Sequence, residues 1–323
     1  MPGARRKSTP KPKVAPPKAL SQQTADAEPD AVDDGPASAL IKQVGKLASK
    51  AKERGYIQAP VAIQLPIWDE SERGLPNSLA RGALFTAIKQ DVKTGQRAYF
   101  SKKRIGSLNS IVLEYKGEEL RQDDASVFMT LLHMARHQAL GQPVHFTAYS
   151  MLKELNWSIN SYEYQHLREC CERLSATNVS VQVAKGEGYG GSLVRKFAWK
   201  DIQSDEKLSH WIVWLEPQIA SLFDSNSFTR LNWNERRRIG GRSPLALWLH
   251  SFFCTHREPI PMSVERYYVL TGSRSSRLAD FRGRMRQALQ RLVELEFLLS
   301  YTIRNDTVHV RRNLDTKRLQ LTE

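Results

Sequence analysis

The chain has 323 residues, with 48 Lys plus Arg against 34 Asp plus Glu and a formal charge of +14. About two domains are therefore expected, with a polyanion as partner. No run of about 18 apolar residues occurs and no apolar core follows the basic N-terminus, so a soluble cytoplasmic protein without membrane association is expected. Cys170, Cys171 and Cys254 form no CxxC and no even set, so neither a zinc ribbon nor a disulfide framework is supported.

In chain order, residues 1–20 carry six bases and no acid, and residues 21–40 five acids and no base. Such block charge cannot bury a core and predicts a disordered tail to about residue 38, solvated or lying along DNA phosphate. Leu40, Ile41, Val44, Leu47, Ala48 and Ala51, interleaved with lysines, predict a short basic amphipathic helix that completes a segment 1–55. Segment 56–96 reads as a linker, in which Pro60 and Pro66 bracket an extended, partly exposed stretch from Val61 to Trp68.

The fold expected beyond it is α+β, two tandem winged-helix domains at 97–216 and 217–323. In the first, strands at Arg97–Phe100 and Ile111–Tyr115 precede a helix capped by Asp123-Asp124, with Val127, Phe128, Leu131, Leu132 and Ala135 inward and Gly141 and Pro143 ending it. Helices follow at about Thr147–Asn156 and Ser161–Thr177, then strands at Val179–Val183, Leu193–Trp199 and Trp211–Leu215, with the glycine-rich Gly186–Gly191 as hairpin tip. The order recurs. Ser243-Pro244 opens a helix to His256, then come helices Ser263–Leu270 and Ser276–Leu295 and strands Phe297–Arg304 and Thr307–Arg312. A shift of 118 residues pairs Leu152 with Leu270, Leu167 with Met285, Leu174 with Leu292, Val179 with Phe297 and Val181 with Leu299, which reads as a duplication.

Charge separates the copies. Residues 273–292 hold six arginines against Asp280, whereas residues 158–174 net minus one. A winged helix reads DNA with the outer residues at the start of its third helix, while its hairpin meets phosphate. The second module should therefore grip DNA through Arg274, Ser276, Arg277, Asp280, Arg284 and Gln287, with Arg311 and Arg312 on the hairpin; Arg277 and Arg284 are the best base or phosphate readers. In the first module Ser161, Tyr162, Gln165 and Arg168 face out, and either weaker DNA contact or a protein interface suits them.

No enzyme and no cofactor is expected. His133 and His137 have ligand spacing without the glutamate of a zinc hydrolase, GxxxxGK[ST] is absent, and so is the His-x-His of a nicking initiator.

Several runs resemble the TrfA family of plasmid replication initiators: Leu75-Pro76-Asn77-Ser78-Leu79-Ala80-Arg81-Gly82-Ala83-Leu84-Phe85-Thr86, Tyr115-Lys116-Gly117-Glu118-Glu119-Leu120-Arg121-Gln122-Asp123-Asp124, Leu155-Asn156-Trp157-Ser158-Ile159-Asn160, and Ser251-Phe252-Phe253 with His256-Arg257-Glu258-Pro259. The resemblance spans about residues 60–312. It implies a bacterial, plasmid-associated initiator that binds repeated double-stranded origin sites (iterons), helps melt AT-rich DNA that it then meets as a single strand, and recruits host DnaA and the helicase DnaB. It also implies an equilibrium of monomer and homodimer. Gln64-Leu65-Pro66-Ile67-Trp68 resembles the family's sliding-clamp pentapeptide, with Gln64, Leu65, Ile67 and Trp68 as contacts and Pro66 as a departure. The alternative is a plasmid-borne transcriptional or partition regulator of the same fold.

Overall fold

Caps and side-chain alternation place the elements of the chain, which the computed structural model describes over residues 42–47, 49–50, 63–89, 96–108, 112–182, 188–200, 210–223 and 227–314. The tail expected at 1–38 lies outside these residues. Residues 42–47 and 49–50 are helical, where the lysine-rich amphipathic pattern is expected, and Val44 and Leu47 are exposed. No described helix is long and apolar enough to cross a membrane.

Within residues 60–323 the elements run β1 (Glu72–Pro76), α1 (Asn77–Ala80), β2 (Phe85–Thr86), β3 (Tyr99–Ile105), β4 (Val112–Glu118), β5 (Leu120–Arg121), α2 (Gln122–Ala135), β6 (Pro143–Thr147), α3 (Ala148–Leu155), α4 (Ser161–Ser175), β7 (Asn178–Gln182), β8 (Gly188–Gly191), β9 (Val194–Lys200) and β10 (His210–Leu215). A 3-10 turn at Pro217–Leu222 leads to β11 (Phe228–Asn232), α5 (Trp233–Ile239), α6 (Pro244–Cys254), β12 (Met262–Ser263), α7 (Val264–Leu270), α8 (Leu278–Glu294), β13 (Leu298–Arg304) and β14 (Thr307–Arg312). This is a mixed α+β chain.

Capping chemistry sets the helix starts. The Thr147 hydroxyl accepts from the Ser150 N–H, the Asn160 side chain from the Glu163 N–H, and the Ser263 hydroxyl from the Arg266 N–H. Asn156 ends α3 in the left-handed region at φ 57°. Asp123 and Asp124 lie inside the first turn of α2, not ahead of it. Arg121 is the N-cap, and its N–H donates to Asp124 at 2.8 Å. That helix stops at Ala135, earlier than Gly141 and Pro143 imply, because Arg136 and Gln138 turn back on the carbonyls of His133 and Ala135.

One topology occurs twice. α2, β6, α3, α4, β9 and β10 make a three-helix unit with the antiparallel sheet β6-β10-β9; α6, β12, α7, α8, β13 and β14 repeat it with the sheet β12-β14-β13. Asn305 and Asp306, at φ 48° and 58°, turn the second hairpin. The repeat frame holds through Leu152/Leu270, Leu167/Met285 and Leu174/Leu292, all buried. It then fails. Val179 and Val181 lie on β7, in a separate sheet β3-β4-β7-β8, and Leu299 is exposed whereas Val181 is buried. The β7–β8 insertion breaks the register, so β9 is the true counterpart of β13.

The insertion also corrects the reading of Gly186–Gly191 as a hairpin tip. Residues 188–191 form β8 and pair with β7, because the buried Tyr189 anchors the strand inward and its hydroxyl donates to the Ser192 carbonyl. Glycine punctuation outweighed a single buried aromatic in the local pattern.

Segment 56–96 is not a linker over its described part. β1 pairs antiparallel with β11, Glu72 opposite Asn232 and Pro76 opposite Phe228. Leu65 and Trp68 are each 3% exposed, which corrects their expected partial exposure. The Trp68 ring packs on Phe223 and Phe228 at 6.0 and 6.2 Å, its indole N–H donates to His133 Nδ1 at 3.0 Å, and Gln64 donates to the Arg136 carbonyl. Of the four anchors, Gln64 and Ile67 stay exposed and the two apolar contacts Leu65 and Trp68 do not. Their core comes from residues more than sixty positions away, which local reading cannot supply.

Two apolar cores result, one from Leu65 to Trp233, the other from Ile239 to Val308 with Ala87 and Leu108. Their junction is polar and tight. Arg236 is buried and donates to the Gln122 side chain, Ser126, the Leu247 carbonyl and Ser251, so one guanidinium bonds α2 to α6. The Ala87 N–H donates to the Thr271 carbonyl at 2.9 Å, and a Cβ at Gly272 would stand 2.8 Å from Thr86. The turn before α8 is thereby fixed to the first half of the chain.

Candidate nucleic-acid interface

α8 exists because Leu278, Phe281, Met285, Leu289 and Leu292 repeat at helical spacing. Phe281, Met285, Leu289 and Leu292 are buried and Leu278 half-buried. The opposite face carries Ser276, Asp280, Arg284 and Gln287, all exposed. Arg277 stands at the N-cap, donating through Nε and Nη2 to Asp280 at 3.1 and 3.0 Å, and this ion pair raises its pKa. Arg284 donates to Ser273 Oγ at 3.1 Å, a bond that a phosphate or base edge can replace.

Two residues expected on the DNA-facing surface are engaged within the protein. Arg274 is an ion-pair partner of the buried Glu119, so it fastens the turn before α8 to the first half of the chain. Arg312 donates to the carbonyls of Phe253 and His256 at 3.2 and 3.0 Å, with its guanidinium 5.2 Å from the Phe297 ring centre. It therefore packs the hairpin against the end of α6 and the residues after it. Arg311, its neighbour on the strand, points the other way and is exposed. Arg282 forks onto Asp306 at the hairpin tip, 2.7 Å through both nitrogens, tying helix to hairpin and lowering the Asp306 pKa.

Arg286 was absent from the expected readers. It is exposed, and no ion pair engages it among the described residues. Its signal was spacing: Arg282 and Arg286 sit four apart, on the flank that faces the hairpin tip.

In the first unit Ser161 opens α4, Tyr162 is exposed with its ring stacked on His166, and Gln165 donates to Glu169. Arg168 pairs with Glu172 at 3.1 Å and lies 3.8 Å over the Trp199 ring. Its charge is balanced within its own helix. The cations of this unit lie instead on β9, where Arg195, Lys196 and Lys200 are exposed. Sequence reading missed them because it set the hairpin one strand too early.

Asp123, His166 and Cys170 offer donor atoms within 4.8 Å of one another. The group does not fit a metal ion. Arg97 donates to Asp123 at 2.6 Å and Arg173 to Cys170 Sγ at 3.2 Å, so guanidiniums hold the space of a cation, and burial pushes the Cys170 thiol pKa well up. His133 Nδ1 accepts from Trp68 and from Arg73, leaving Nε2–H to donate to Glu70 at 3.0 Å.

Comparison with known proteins adds three findings. A family model described as TrfA protein matches residues 33–312. The plasmid replication initiator protein TrfA of Escherichia coli is 30% identical over 281 residues, 84% of this chain and 72% of that protein. A solved structure of domains 2 and 3 of RctB superposes with a TM-score of 0.51 at 12% identity, covering 73% of this chain and 98% of that one, a likeness of fold.

Proposed function

Because the chain belongs to the TrfA family and is a plasmid replication initiator, we propose that it binds directly repeated origin sites through two winged-helix modules, the second dominant. The observation that carries this reading is the exposed face Ser276, Arg277, Asp280, Arg284 and Gln287 at the head of α8, flanked by Arg286 and the exposed Arg311. A helix of this kind enters the major groove head first, Arg284 forking to a guanine edge while the hairpin lies on phosphate. The twofold helix-strand-helix-helix-hairpin order supports the winged-helix assignment.

The first module contributes less base reading, since Gln165 and Arg168 are engaged by Glu169 and Glu172, and more phosphate contact through β9. Family membership supports opening of an AT-rich segment, host DnaA and DnaB as partners, and a monomer–homodimer equilibrium. The initiator works without nuclease or NTPase chemistry of its own. Footprinting on the plasmid origin followed by permanganate probing tests the proposal: protected repeats with reactive thymines beside them are expected. Protection of an operator with no unpaired thymines would instead make the protein a regulator.

A further inference from the structure

We propose that the cleft between the head of α4, α5 and the loop 240–243 is a nucleotide site, taking the phosphates with a base beside them. The cleft measures about 500 Å³, within the size range of small-ligand sites. It lies at the junction of the two cores, away from the outer face of α8.

Its charge is unbalanced. Lys89, Arg236, Arg237 and Arg242 line it, and no ion pair engages any of the four among the described residues. Of the acids on its wall, Asp123 is held by Arg97 and His166, which leaves Glu163. Arg236 is buried against neutral oxygens alone, and burial lowers its pKa to about 9. A buried cation without a counter-charge is costly, and an anion in the cleft would supply the missing partner.

The backbone suits the same ligand. Gly240, at φ +77°, and Gly241 face open space where a Cβ would stand, so a ligand can approach the chain closely. The loop runs directly into α6, an 11-residue helix whose N-cap Ser243 makes no side-chain cap bond. Pro244, its first residue, has no N–H and the Leu247 N–H donates to the Ser243 carbonyl, so only the Leu245 and Ala246 N–H groups lack intrahelical partners beside the cations. On the α4 side Trp157, His166 and Tyr162 form a ladder of rings, with centres 5.0 and 6.1 Å apart and Tyr162 outermost and exposed. A base stacks on such a platform without regard to sequence. The nucleotide arrives either free or as one unit of a DNA strand, and the test separates these sources.

Full-length protein is titrated by calorimetry with pyrophosphate, with dADP and with a short single-stranded oligonucleotide, at fixed ionic strength. The same titrations use Arg237→Ala/Arg242→Ala, Tyr162→Ala and, as a control of equal charge, Lys102→Ala/Lys103→Ala on β3. Circular dichroism checks that each variant is folded. Saturable one-to-one binding of dADP, tighter than pyrophosphate and weakened at least tenfold by the arginine pair, supports a free nucleotide. The same tenfold loss seen only with the oligonucleotide supports a strand. Affinities that fall no further in the arginine pair than in the lysine control overturn the proposal, as does Tyr162→Ala without effect on either base-bearing ligand. Origin preference is read separately through Arg284→Ala, so failure of the cleft and failure of the α8 reading are distinguishable.

Discussion

Trp68→Ala removes a ring that is 3% exposed, wedged between Phe223 and Phe228 and packed over Gly74, where a Cβ would stand only 2.7 Å from it. Large-to-small changes at such sites cost about 3 to 5 kcal/mol, because the lining cannot fully collapse. The lost hydrogen bond adds little, since His133 Nδ1 still accepts from Arg73 at 3.1 Å. Trp68→Phe keeps most of the packing and should cost about 1 to 2 kcal/mol. In a thermal melt of the full chain the alanine variant is expected to lower the midpoint by roughly 10 °C, given about 2 to 4 °C per kcal/mol for bodies of this size. An unchanged midpoint, combined with loss of binding to a sliding clamp, would refute the reasoning and return Gln64–Trp68 to the surface.

Other outcomes follow from the same geometry. Arg284→Ala should weaken binding to the cognate repeat by about 1 to 3 kcal/mol while leaving random DNA nearly unaffected, measured by titration against both duplexes. Arg311→Ala should weaken both duplexes alike and flatten the salt dependence, whereas Arg312→Ala should lower the unfolding midpoint with the salt slope unchanged; a flattened slope for Arg312→Ala would restore it as a phosphate contact. Asp280→Asn frees Arg277 and removes an acid from the DNA-facing side, so non-specific affinity should rise, and a fall in gel-shift assays would count against that orientation. Burial beside Arg73 holds the His133 pKa down to about 4, against about 6.5 in an unfolded chain. The neutral ring's contribution is therefore complete above about pH 6.5 and lost as pH falls toward 4. Urea midpoints should fall over that window and fall less in His133→Gln; identical slopes would remove His133 from the account.

Local chemistry carried most of the helices. Thr147, Asn160, Asn156 and Ser263 sit where capping demands them, and the buried stripe of α8 is readable from Phe281 to Leu292. What escaped was what depends on distant residues. The β1–β11 pairing joins segments about 150 positions apart, and neither strand announces its partner. The Arg312 case differs, because strand alternation already implies that adjacent arginines point to opposite faces. Treating Arg311 and Arg312 as equivalent ignored that rule. Arg274 lay within the right turn, but its partner Glu119 was read only as part of a family run.

The polar junction held by Arg236, Thr271 and the Arg274–Glu119 pair bears on the proposed DNA contact as much as on the protein. With two DNA-reading modules, as proposed, these contacts would make the protein a fixed caliper with a set angular phase. B-DNA turns once in about 10.5 base pairs. An insertion of about five base pairs between the two contact regions of a repeat would swing one of them to the far side of the duplex, out of reach of its module. A full turn would restore the phase but not the distance. Repeat length in a matching origin is then constrained by the fold itself, and an origin could change its letters more freely than its spacing.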